Sequence, residues 1–394
     1  MANQSLVDKP ARILFLFSDT GGGHRSAAEA IIEALQIQYG SEIRVNMVDI
    51  FKEYAPKPLD KLPELYPIMV RIPQAWGIGY YLSNGHRRAR LITASAWPMV
   101  RRNIRQLVRN NPSDLIVSVH PLANAPVLRA LGSHRPPFIT VVTDLVTTHA
   151  LWYHRRADLC IVPTEEARQR AFLCGLRADQ VKVIGLPVAQ KFCQPPGDKQ
   201  VIREKLGWPK ELPVVLLVGG GEGMGPMDQV ARWIDEAPIS LALIIVTGRN
   251  QKLKSQLERQ SWQKQVKVYG FVRQMPDFMQ AADILVTKAG PGTITEALNA
   301  ALPMLLYSRL PGQEDGNVSY IVSQGAGYWT PTNESLVQAL QTWVESPNEY
   351  QRAVEACRFL ARPNAAKDIA TLLYTWLKKP PQRAIETPLS ASEI

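Results

Sequence analysis

Short apolar runs alternate with amphipathic windows along the whole chain. The runs are rich in Val, Ile, Leu and Phe, and most are followed by apolar positions at helical spacing. This alternation is typical of parallel α/β sheets. In the first half the predicted strands are Arg12–Ser18, Arg44–Asp49, Leu115–Val119, Phe138–Thr143, Leu159–Val162 and Val181–Ile184. In the second half they are Val214–Val218, Leu241–Val246, Val266–Tyr269, Ile284–Thr287 and Met304–Tyr307.

A segment that carries several Pro and Gly residues, from Gly185 to Asp198, separates the two series of strands. With 394 residues, the chain is longer than one ordinary core supports. We therefore expect two α/β domains facing each other across a cleft, at 1–190 and 191–377, and a disordered polar tail at 378–394. Ligands of open α/β sheets bind at the carboxyl ends of the strands, so the loops there are the candidates for chemistry.

Composition narrows the class of protein further. Apolar residues make up 46% of the chain and charged residues 20%, which is typical of a globular protein. The net charge of +10 favours anionic partners such as nucleotides, nucleic acid or acidic lipid. The four cysteines form no CxxC pair, which argues against a zinc ribbon or a disulfide framework. No apolar run is long enough for a transmembrane helix and the first ten residues are polar, so we expect neither a membrane span nor a signal peptide.

A glycine-rich loop with a histidine follows the first predicted strand. It runs from Ser18 to Arg25 and contains Gly22, Gly23 and His24. Glycines let a substrate approach the backbone, and the following helix offers free N–H groups and a positive dipole end. A neutral imidazole at this point could accept a proton from an attacking hydroxyl, which makes His24 the candidate general base. The alternative is an ordinary strand-to-helix turn with an incidental histidine.

Two glycine-rich loops in the second half suit a nucleotide diphosphate. The first, GGGEGMG, contains Gly221 and Gly223, and the second, KAGPG, leads from a predicted strand into a helix. Glu296 in that helix could accept hydrogen bonds from both hydroxyls of a ribose. The alternative is a capping box, in which Thr293 caps the helix and Glu296 completes the cap.

Further polar side chains lie at predicted strand ends. In the loop PGQEDGN, Gln313 and Glu314 could hydrogen-bond to sugar hydroxyls. Asp144 could orient His24 or stabilise its charge, or it could simply cap a turn. Arg249 could meet a diphosphate, or it could be a solvated surface residue.

Four of these segments together resemble a known family. SDTGGGHRSAAEAI, the turn TDL, GFVRQMPDFMQAADILVTKAGPGTITEA and PGQEDGN stand in the same order as in monogalactosyldiacylglycerol synthases. These enzymes are related to the peptidoglycan glycosyltransferase MurG and to bacterial diacylglycerol glucosyltransferases. The first loop favours the lipid branch, because MurG-like chains carry a GGTGGH form there. The resemblance implies a GT-B fold with two Rossmann-like domains, the acceptor on the first and the UDP-sugar on the second, and a C-terminal helix that returns to the first domain.

The resemblance also implies roles for individual residues. His24 matches the catalytic histidine, Glu296 the ribose ligand, and Phe271 and Val272 the residues at the uracil edge. It implies inverting transfer without a metal, so we expect no metal site and no cofactor. The candidate catalytic residues are therefore His24 and Asp144. The candidate UDP-sugar site comprises Gly22, Gly23, Gly221, Gly223, Arg249, Phe271, Val272, Lys288, Ala289, Gly290, Pro291, Gly292, Thr293, Glu296, Gln313, Glu314 and Asn317.

The predicted function is transfer of a hexose, with galactose favoured over glucose, from a UDP-sugar to the free hydroxyl of 1,2-diacylglycerol. One alternative is a transferase of UDP-GlcNAc or another UDP-hexose acting on a lipid-linked or soluble acceptor, because the acceptor domain is matched strongly only around His24. The other is a non-enzymatic, basic module that binds nucleotides or nucleic acid, and the four ordered loops argue against it. We expect a UDP-hexose and diacylglycerol as partners and no nucleic acid, while the oligomeric state is left open.

An apolar segment followed by a basic one predicts peripheral contact with the cytoplasmic side of a membrane. Residues 62–82 are apolar but interrupted by Arg71 and by prolines, and there is no acidic residue between Glu64 and Asp114. Apolar side chains beside arginines suit shallow insertion into an anionic leaflet. The alternative is a core segment with a solvated basic face. The predicted membrane-contacting residues are Trp76, Tyr80, Tyr81, Arg87, Arg88, Arg101 and Arg102.

Overall fold

The computed structural model describes residues 9–20, 22–69, 72–223 and 225–378. Within these residues the chain forms two parallel six-stranded sheets with helices packed on their faces. Most of the tail that the sequence predicts to be disordered, from residue 379 on, lies outside the described residues, as does the polar N-terminus up to residue 8.

The first sheet comprises β1 (Ala11–Phe17), β2 (Ile43–Asp49), β3 (Leu115–Ser118), β4 (Phe138–Val141), β5 (Leu159–Val162) and β6 (Val181–Val183). Its strand order is β2-β1-β3-β4-β5-β6. The second sheet comprises β7 (Val214–Val218), β8 (Ala242–Val246), β9 (Gln265–Tyr269), β10 (Ile284–Lys288), β11 (Met304–Ser308) and β12 (Gly327–Trp329). Its order is β12-β11-β10-β7-β8-β9. In each sheet the direction in which successive strands are added reverses once, between β1 and β3 in the first sheet and between β7 and β10 in the second. Ligands of such sheets bind at this point.

Helices cover both faces of each sheet. In the first domain they are α1 (Gly23–Tyr39), α2 (Leu62–Met69), α3 (Pro73–Ser83), α4 (His86–Asn110), α5 (Pro121–Leu131) and α6 (Glu165–Leu173). In the second they are α7 (Lys199–Leu206), α8 (Met227–Glu236), α9 (Gln251–Glu258), α10 (Met275–Ala281), α11 (Pro291–Asn299), α12 (Asp315–Ser323), α13 (Asn333–Glu345) and α14 (Pro347–Leu360). The last described helix is α15 (Ala365–Leu377).

The apolar runs form strands because both faces of each sheet are buried. In β1, Ile13 and Phe15 face one core, while Leu14 and Leu16 face the core on the other side of the sheet. Truncating a fully buried Phe such as Phe15 costs ~3–5 kcal/mol, so these runs fix the position of the loops that follow them.

The C-terminal helix α15 returns to the first domain, which confirms that prediction. Ile369, Ala370 and Leu373 are buried in the same core as Ile13 and Phe15. The ring of Tyr374 stacks on Tyr39 of α1, with the ring centroids 3.7 Å apart. The helix therefore ties the end of the second domain to the first.

Candidate active site

The glycine loop after β1 places His24 at the carboxyl edge of the first sheet. Gly22 precedes α1 with φ of +76°, a left-handed conformation that favours glycine, and α1 then begins at Gly23. His24 lies in the first helical turn, and its Nδ1 is 2.7 Å from Oγ1 of Thr143, just beyond β4. The loop thus brings a residue from the start of the chain to the end of a distant strand, where a ligand is expected.

The environment of His24 keeps its imidazole neutral. Burial lowers the pKa of His24 to about 4, and hydrogen bonding to the backbone of Val119 opposes this shift only in part. The ring is therefore neutral at pH 7, the state that a general base needs, although so low a pKa makes it a weak proton acceptor.

A second histidine, His120, lies beside His24 and was not among the predicted site residues. The two rings meet edge to face with their centroids 4.7 Å apart. His120 is 3% exposed, and its Nε2 is 3.1 Å from Oγ1 of Thr20 in the glycine loop. Its buried Nδ1 finds no partner among the described residues. The signal was present in the sequence, since His120 follows a predicted strand directly.

Asp144 forms no hydrogen bond to His24 in the described structure, so it does not orient that ring directly, and whether its charge stabilises His24 stays a prediction. Its Oδ2 accepts a 2.6 Å hydrogen bond from Nε1 of Trp152, and its Oδ1 accepts one of 3.1 Å from Nε2 of Gln313. The Trp152 ring in turn lies 5.9 Å from the His24 ring, between centroids. Burial raises the pKa of Asp144 to about 6, although hydrogen bonds from Trp152, Gln313 and the backbone of His149 lower it. The carboxyl group therefore acts on a tryptophan and on the second domain.

The glycine loop of the second domain is held close to the end of β8. Gly223 has φ of +59°, and a Cβ at this position would collide with the carbonyl oxygen of Thr247. The guanidinium of Arg249 pairs with Glu222 of the loop at 2.7 Å and lies over the Phe271 ring, 5.1 Å from its centroid. The structure thus brings Gly221, Arg249 and Phe271 together, and Arg249 remains largely exposed, so its contact with a diphosphate stays a prediction. Val272 follows Phe271 and is half-buried.

An ion pair with little exposure joins the last residue of β10 to the loop after β11. The Nζ of Lys288 lies 2.7 Å from Oε1 of Glu314, and the other carboxylate oxygen of Glu314 accepts the Leu310 N–H at 2.8 Å. The pair fixes the loops after β10 and β11 against each other. Whether Lys288 and Glu314 also touch a ligand stays a prediction.

Helix α11 begins three residues earlier than the capping-box alternative requires, since that alternative has Thr293 as the N-cap. Gly290 is its N-cap and Pro291 its first residue, so Thr293 is inside the helix and caps nothing. Ala289 is fully buried, whereas Pro291, Gly292 and Thr293 are half-buried at the helix N-terminus. The free N–H groups of this turn favour an anion such as a diphosphate.

Glu296 lies in the second turn of α11 without a capping role. Its carboxyl group is half-buried and forms no hydrogen bond within the described chain. Burial raises its pKa to about 8, and the nearby Lys191 lowers it only slightly. A carboxyl group held in this way has an acceptor available for a ligand hydroxyl.

Residues 313–317 of the predicted sugar loop contact the first domain. Besides the bond from Gln313 to Asp144, the Gly316 N–H donates to Oγ1 of Thr147 at 2.8 Å. The Val146 N–H donates to Oδ1 of Asn317 at 3.2 Å, and Nδ2 of Asn317 donates to the Ala289 carbonyl at 2.9 Å. Asn317 is thus buried and structural in this arrangement, and the loop spans the interface of the two domains.

Helices α3 and α4 carry the residues predicted to contact a membrane, and the prediction is wrong for Tyr80. Tyr80 is 8% exposed and packs against Gly312 and the ring of His149, so it faces the protein and not a membrane. Tyr81 is 57% exposed and donates a 2.6 Å hydrogen bond to Asp315, while Trp76 is half-buried. The four predicted arginines are exposed: Arg87, Arg88, Arg101 and Arg102. Apolar side chains exposed on the same two helices are Ile78, Leu82, Leu91, Ile92 and Met99. No helix in the described ranges has the length and hydropathy needed to cross a bilayer.

The fold and the site together define the class of protein. Two facing α/β domains, with a histidine in a glycine-rich loop on the first and further glycine-rich loops on the second, are the arrangement of GT-B glycosyltransferases. MurG of Acinetobacter baumannii has this fold, with a TM-score of 0.60 and 16% identity over 93% of this chain and 100% of that one. MnaA of S. aureus, solved with UDP, gives a TM-score of 0.61 and 17% identity over 95% and 98% of the two chains. At these identities the likeness shows the fold alone.

Sequence comparison identifies the family. Residues 24–188 match the family model for monogalactosyldiacylglycerol synthase, and residues 214–372 match that for the glycosyltransferase family 28 C-terminal domain. A probable monogalactosyldiacylglycerol synthase 2, chloroplastic, of Oryza sativa subsp. japonica is 37% identical over 382 residues, 93% of this chain and 81% of that protein. Monogalactosyldiacylglycerol synthase 1, chloroplastic, of Arabidopsis thaliana is 36% identical over 385 residues, 95% and 72% of the two chains. The chain is a glycosyltransferase and belongs to the monogalactosyldiacylglycerol synthase family, as its motifs predict.

Proposed function

We propose that this protein transfers galactose from UDP-galactose to the free hydroxyl of 1,2-diacylglycerol and forms a β-glycoside. The observation that carries the proposal is the neutral, half-buried His24 at the carboxyl edge of the first sheet, beside Trp152, which is joined through Asp144 to Gln313 of the second domain. The names of the relatives, all monogalactosyldiacylglycerol synthases, support the choice of sugar and acceptor. UDP-glucose is the competing donor.

In the proposed reaction the acceptor hydroxyl attacks the anomeric carbon directly. Its oxygen forms the new C–O bond on the face opposite UDP, and its proton passes to His24. The bond between the anomeric carbon and the diphosphate breaks, and its electron pair leaves with UDP, so the anomeric configuration inverts. A pKa of about 4 makes His24 a weak base, but a hydroxyl becomes acidic as its oxygen bonds to carbon, so transfer late in the step remains favourable.

The second domain stabilises the departing UDP in this proposal. In the N-terminal turn of α11, the N–H groups of Gly292 and Thr293 and the positive end of the helix dipole are directed towards the diphosphate. Glu296 accepts the ribose hydroxyls, and Phe271 and Val272 lie at the edge of uracil. We propose that these groups replace a metal ion, so the reaction needs none.

The acceptor is a lipid, so the proposal includes a membrane-facing surface. The exposed arginines and apolar side chains of α3 and α4 are suited to lie on an anionic leaflet, with the protein bound peripherally.

Product analysis tests the proposed function. Vesicles containing diacylglycerol are incubated with each UDP-hexose, and the glycolipid is identified by mass spectrometry and its anomeric configuration by NMR. We expect a β-galactosyl product that requires His24 and is unaffected by the matched change His134→Ala, because His134 is exposed. An α-glycoside, or a product formed only from UDP-GlcNAc, would contradict the proposal.

A further inference from the structure

Asp144 links the two domains through hydrogen bonds in which its charged carboxylate can only be the acceptor. Its carboxylate lies in the first domain, is 6% exposed, and accepts the indole N–H of Trp152 and the side-chain amide N–H of Gln313. An ionised carboxylate accepts hydrogen bonds and donates none. Gln313 must therefore turn its NH₂ group towards Asp144.

This constraint decides where the other end of the Gln313 amide points. With its NH₂ group on Asp144, its carbonyl oxygen Oε1 is directed away from the carboxylate. That oxygen is buried and has no hydrogen-bond partner among the described residues. Buried polar atoms are nearly always paired, so an unpaired acceptor in this loop indicates a missing donor.

The loop around Gln313 narrows the identity of that donor. Glu314, the next residue, is paired with Lys288 at the end of β10, beside the N-terminal turn of α11. A group held at this turn through its diphosphate would carry its hydroxyl-bearing sugar towards Gln313. Hydroxyls are the donors that such a ligand offers.

We propose that Asp144 is a positioning residue for donor recognition: from the acceptor domain it orients the amide of Gln313 so that Oε1 accepts a hydrogen bond from a hydroxyl of the donor hexose. The inference rests on the proposed use of a UDP-hexose. The alternative is that Asp144 is only a latch, meaning a contact that holds the two domains together. In that case it would not matter which end of the Gln313 amide faces the sugar.

The variant Asp144→Asn separates these two roles. The indole of Trp152 can only donate, so it retains the amide oxygen of the new asparagine, whose NH₂ group then faces Gln313. To accept a hydrogen bond from that NH₂ group, the amide of Gln313 must rotate so that its oxygen faces the new asparagine. Its own NH₂ group then faces the sugar. The variant keeps the cross-domain hydrogen bond and reverses the polarity offered to the hexose.

The experiment uses the full-length chain, with UDP, UDP-galactose and the 3-, 4- and 6-deoxyfluoro analogues of UDP-galactose as probes. Fluorine cannot donate a hydrogen bond, so one analogue should bind the wild type about 3- to 10-fold more weakly than UDP-galactose, the usual effect of one neutral hydrogen bond. In Asp144→Asn this penalty should disappear, while the affinity for UDP alone changes less than about 2-fold, since UDP has no hexose. Isothermal titration calorimetry measures all of these affinities.

Two further variants control for domain contact and folding. Thr147→Val removes the hydroxyl that accepts the Gly316 N–H and so weakens the same interface without touching the Gln313 amide. It should leave the fluorine penalty in place. Adding Asp144→Asn to Gln313→Ala should cost little more than Gln313→Ala alone, whereas Thr147→Val and Gln313→Ala should be additive. Thermal melts of each variant report any loss of folding.

The outcomes distinguish the inference from the function on which it rests. If UDP-galactose binds but Asp144→Asn leaves the pattern of fluorine penalties unchanged, or changes it only as Thr147→Val does, Asp144 is a latch and the inference is wrong. If UDP binds and no UDP-hexose adds affinity or is turned over, the proposed function itself fails, and the inference fails with it.

Discussion

Replacing Glu296 by Gln should stabilise the unliganded protein at neutral and alkaline pH while it weakens the binding of UDP. Burial raises the pKa of Glu296 to about 8 from an ordinary value of 4.5, so ionising this carboxyl group costs free energy in the folded state. A folded-state pKa that is raised for an acid means that stability is lost as the pH rises from the unfolded value towards the folded one. Glutamine has a similar size and no charge, so the variant escapes this loss.

The size of the effect follows from the width of that pH window. One pKa unit corresponds to ~1.36 kcal/mol, so the shift from 4.5 to about 8 sets an upper limit of ~5 kcal/mol at pH 8 and above. The carboxyl group is half-buried, so solvent reduces the penalty, and we expect ~1–3 kcal/mol. The difference between Glu296→Gln and the wild type should vanish near pH 4.5 and reach its full size near pH 8.

Denaturant unfolding of the two proteins at pH 5, 7 and 8.5 measures the stability arm, and calorimetry with UDP measures the binding arm. We expect UDP to bind the variant about 5- to 150-fold more weakly, because hydrogen bonds to the carboxyl group are worth ~1–3 kcal/mol. The exposed Glu211 provides a matched control, since Glu211→Gln should change neither quantity. A stability difference that stays constant from pH 5 to 8.5 would refute the raised pKa, and an unchanged UDP affinity would refute the ribose role.

Three other predictions concern the base, the metal and the membrane. His24→Ala should lower turnover by roughly 10²–10⁴-fold and leave the affinity for UDP unchanged. Steady-state kinetics and calorimetry measure the two quantities, and a loss of both would contradict the role of His24 as the base. EDTA should leave activity intact because N–H groups hold the diphosphate; loss of turnover that Mn²⁺ restores would reveal a metal site. Vesicle flotation should rise with anionic lipid and fall with salt, because each basic residue near the leaflet contributes ~1 kcal/mol. Replacing four arginines together by Gln should weaken the dependence of flotation on anionic lipid and on salt: Arg87, Arg88, Arg101 and Arg102. As a control, the same replacement of four exposed arginines of the second domain should leave both dependences unchanged: Arg232, Arg259, Arg352 and Arg358.

The sequence predicts most of the sheet architecture because parallel strands buried on both faces require continuous apolar runs. It fails at β12, whose three residues, Gly327 to Trp329, include a glycine and lie at the edge of the second sheet. Such a strand is defined by its partner: its pairing with β11 leaves no room for a Cβ on Gly327, which would collide with the Met304 carbonyl. Apolar patterning carries no record of that contact.

The position of the candidate site was predictable for a different reason. Functional loops follow the carboxyl ends of strands, and this rule locates His24 and Glu296, and would also have located His120. It gives the position of a residue along the chain and not the direction of its side chain. The sequence therefore places Tyr80 at the membrane although this residue packs inside the protein, and it does not reveal that the partners of Asp144 are Trp152 and Gln313.

The conformation of the loop from Leu310 to Asn317, the proposed sugar loop, could not be derived from the second domain alone. By itself this loop has the composition of a surface turn, with two glycines and no apolar run. Its conformation comes from outside, since Gln313, Gly316 and Asn317 all bond to residues 144–147 of the first domain. These bonds exist only while the two domains are in contact, so the conformation of the proposed sugar loop depends on the first domain. Donor selectivity in this enzyme should therefore respond to substitutions in the first domain that never touch the donor.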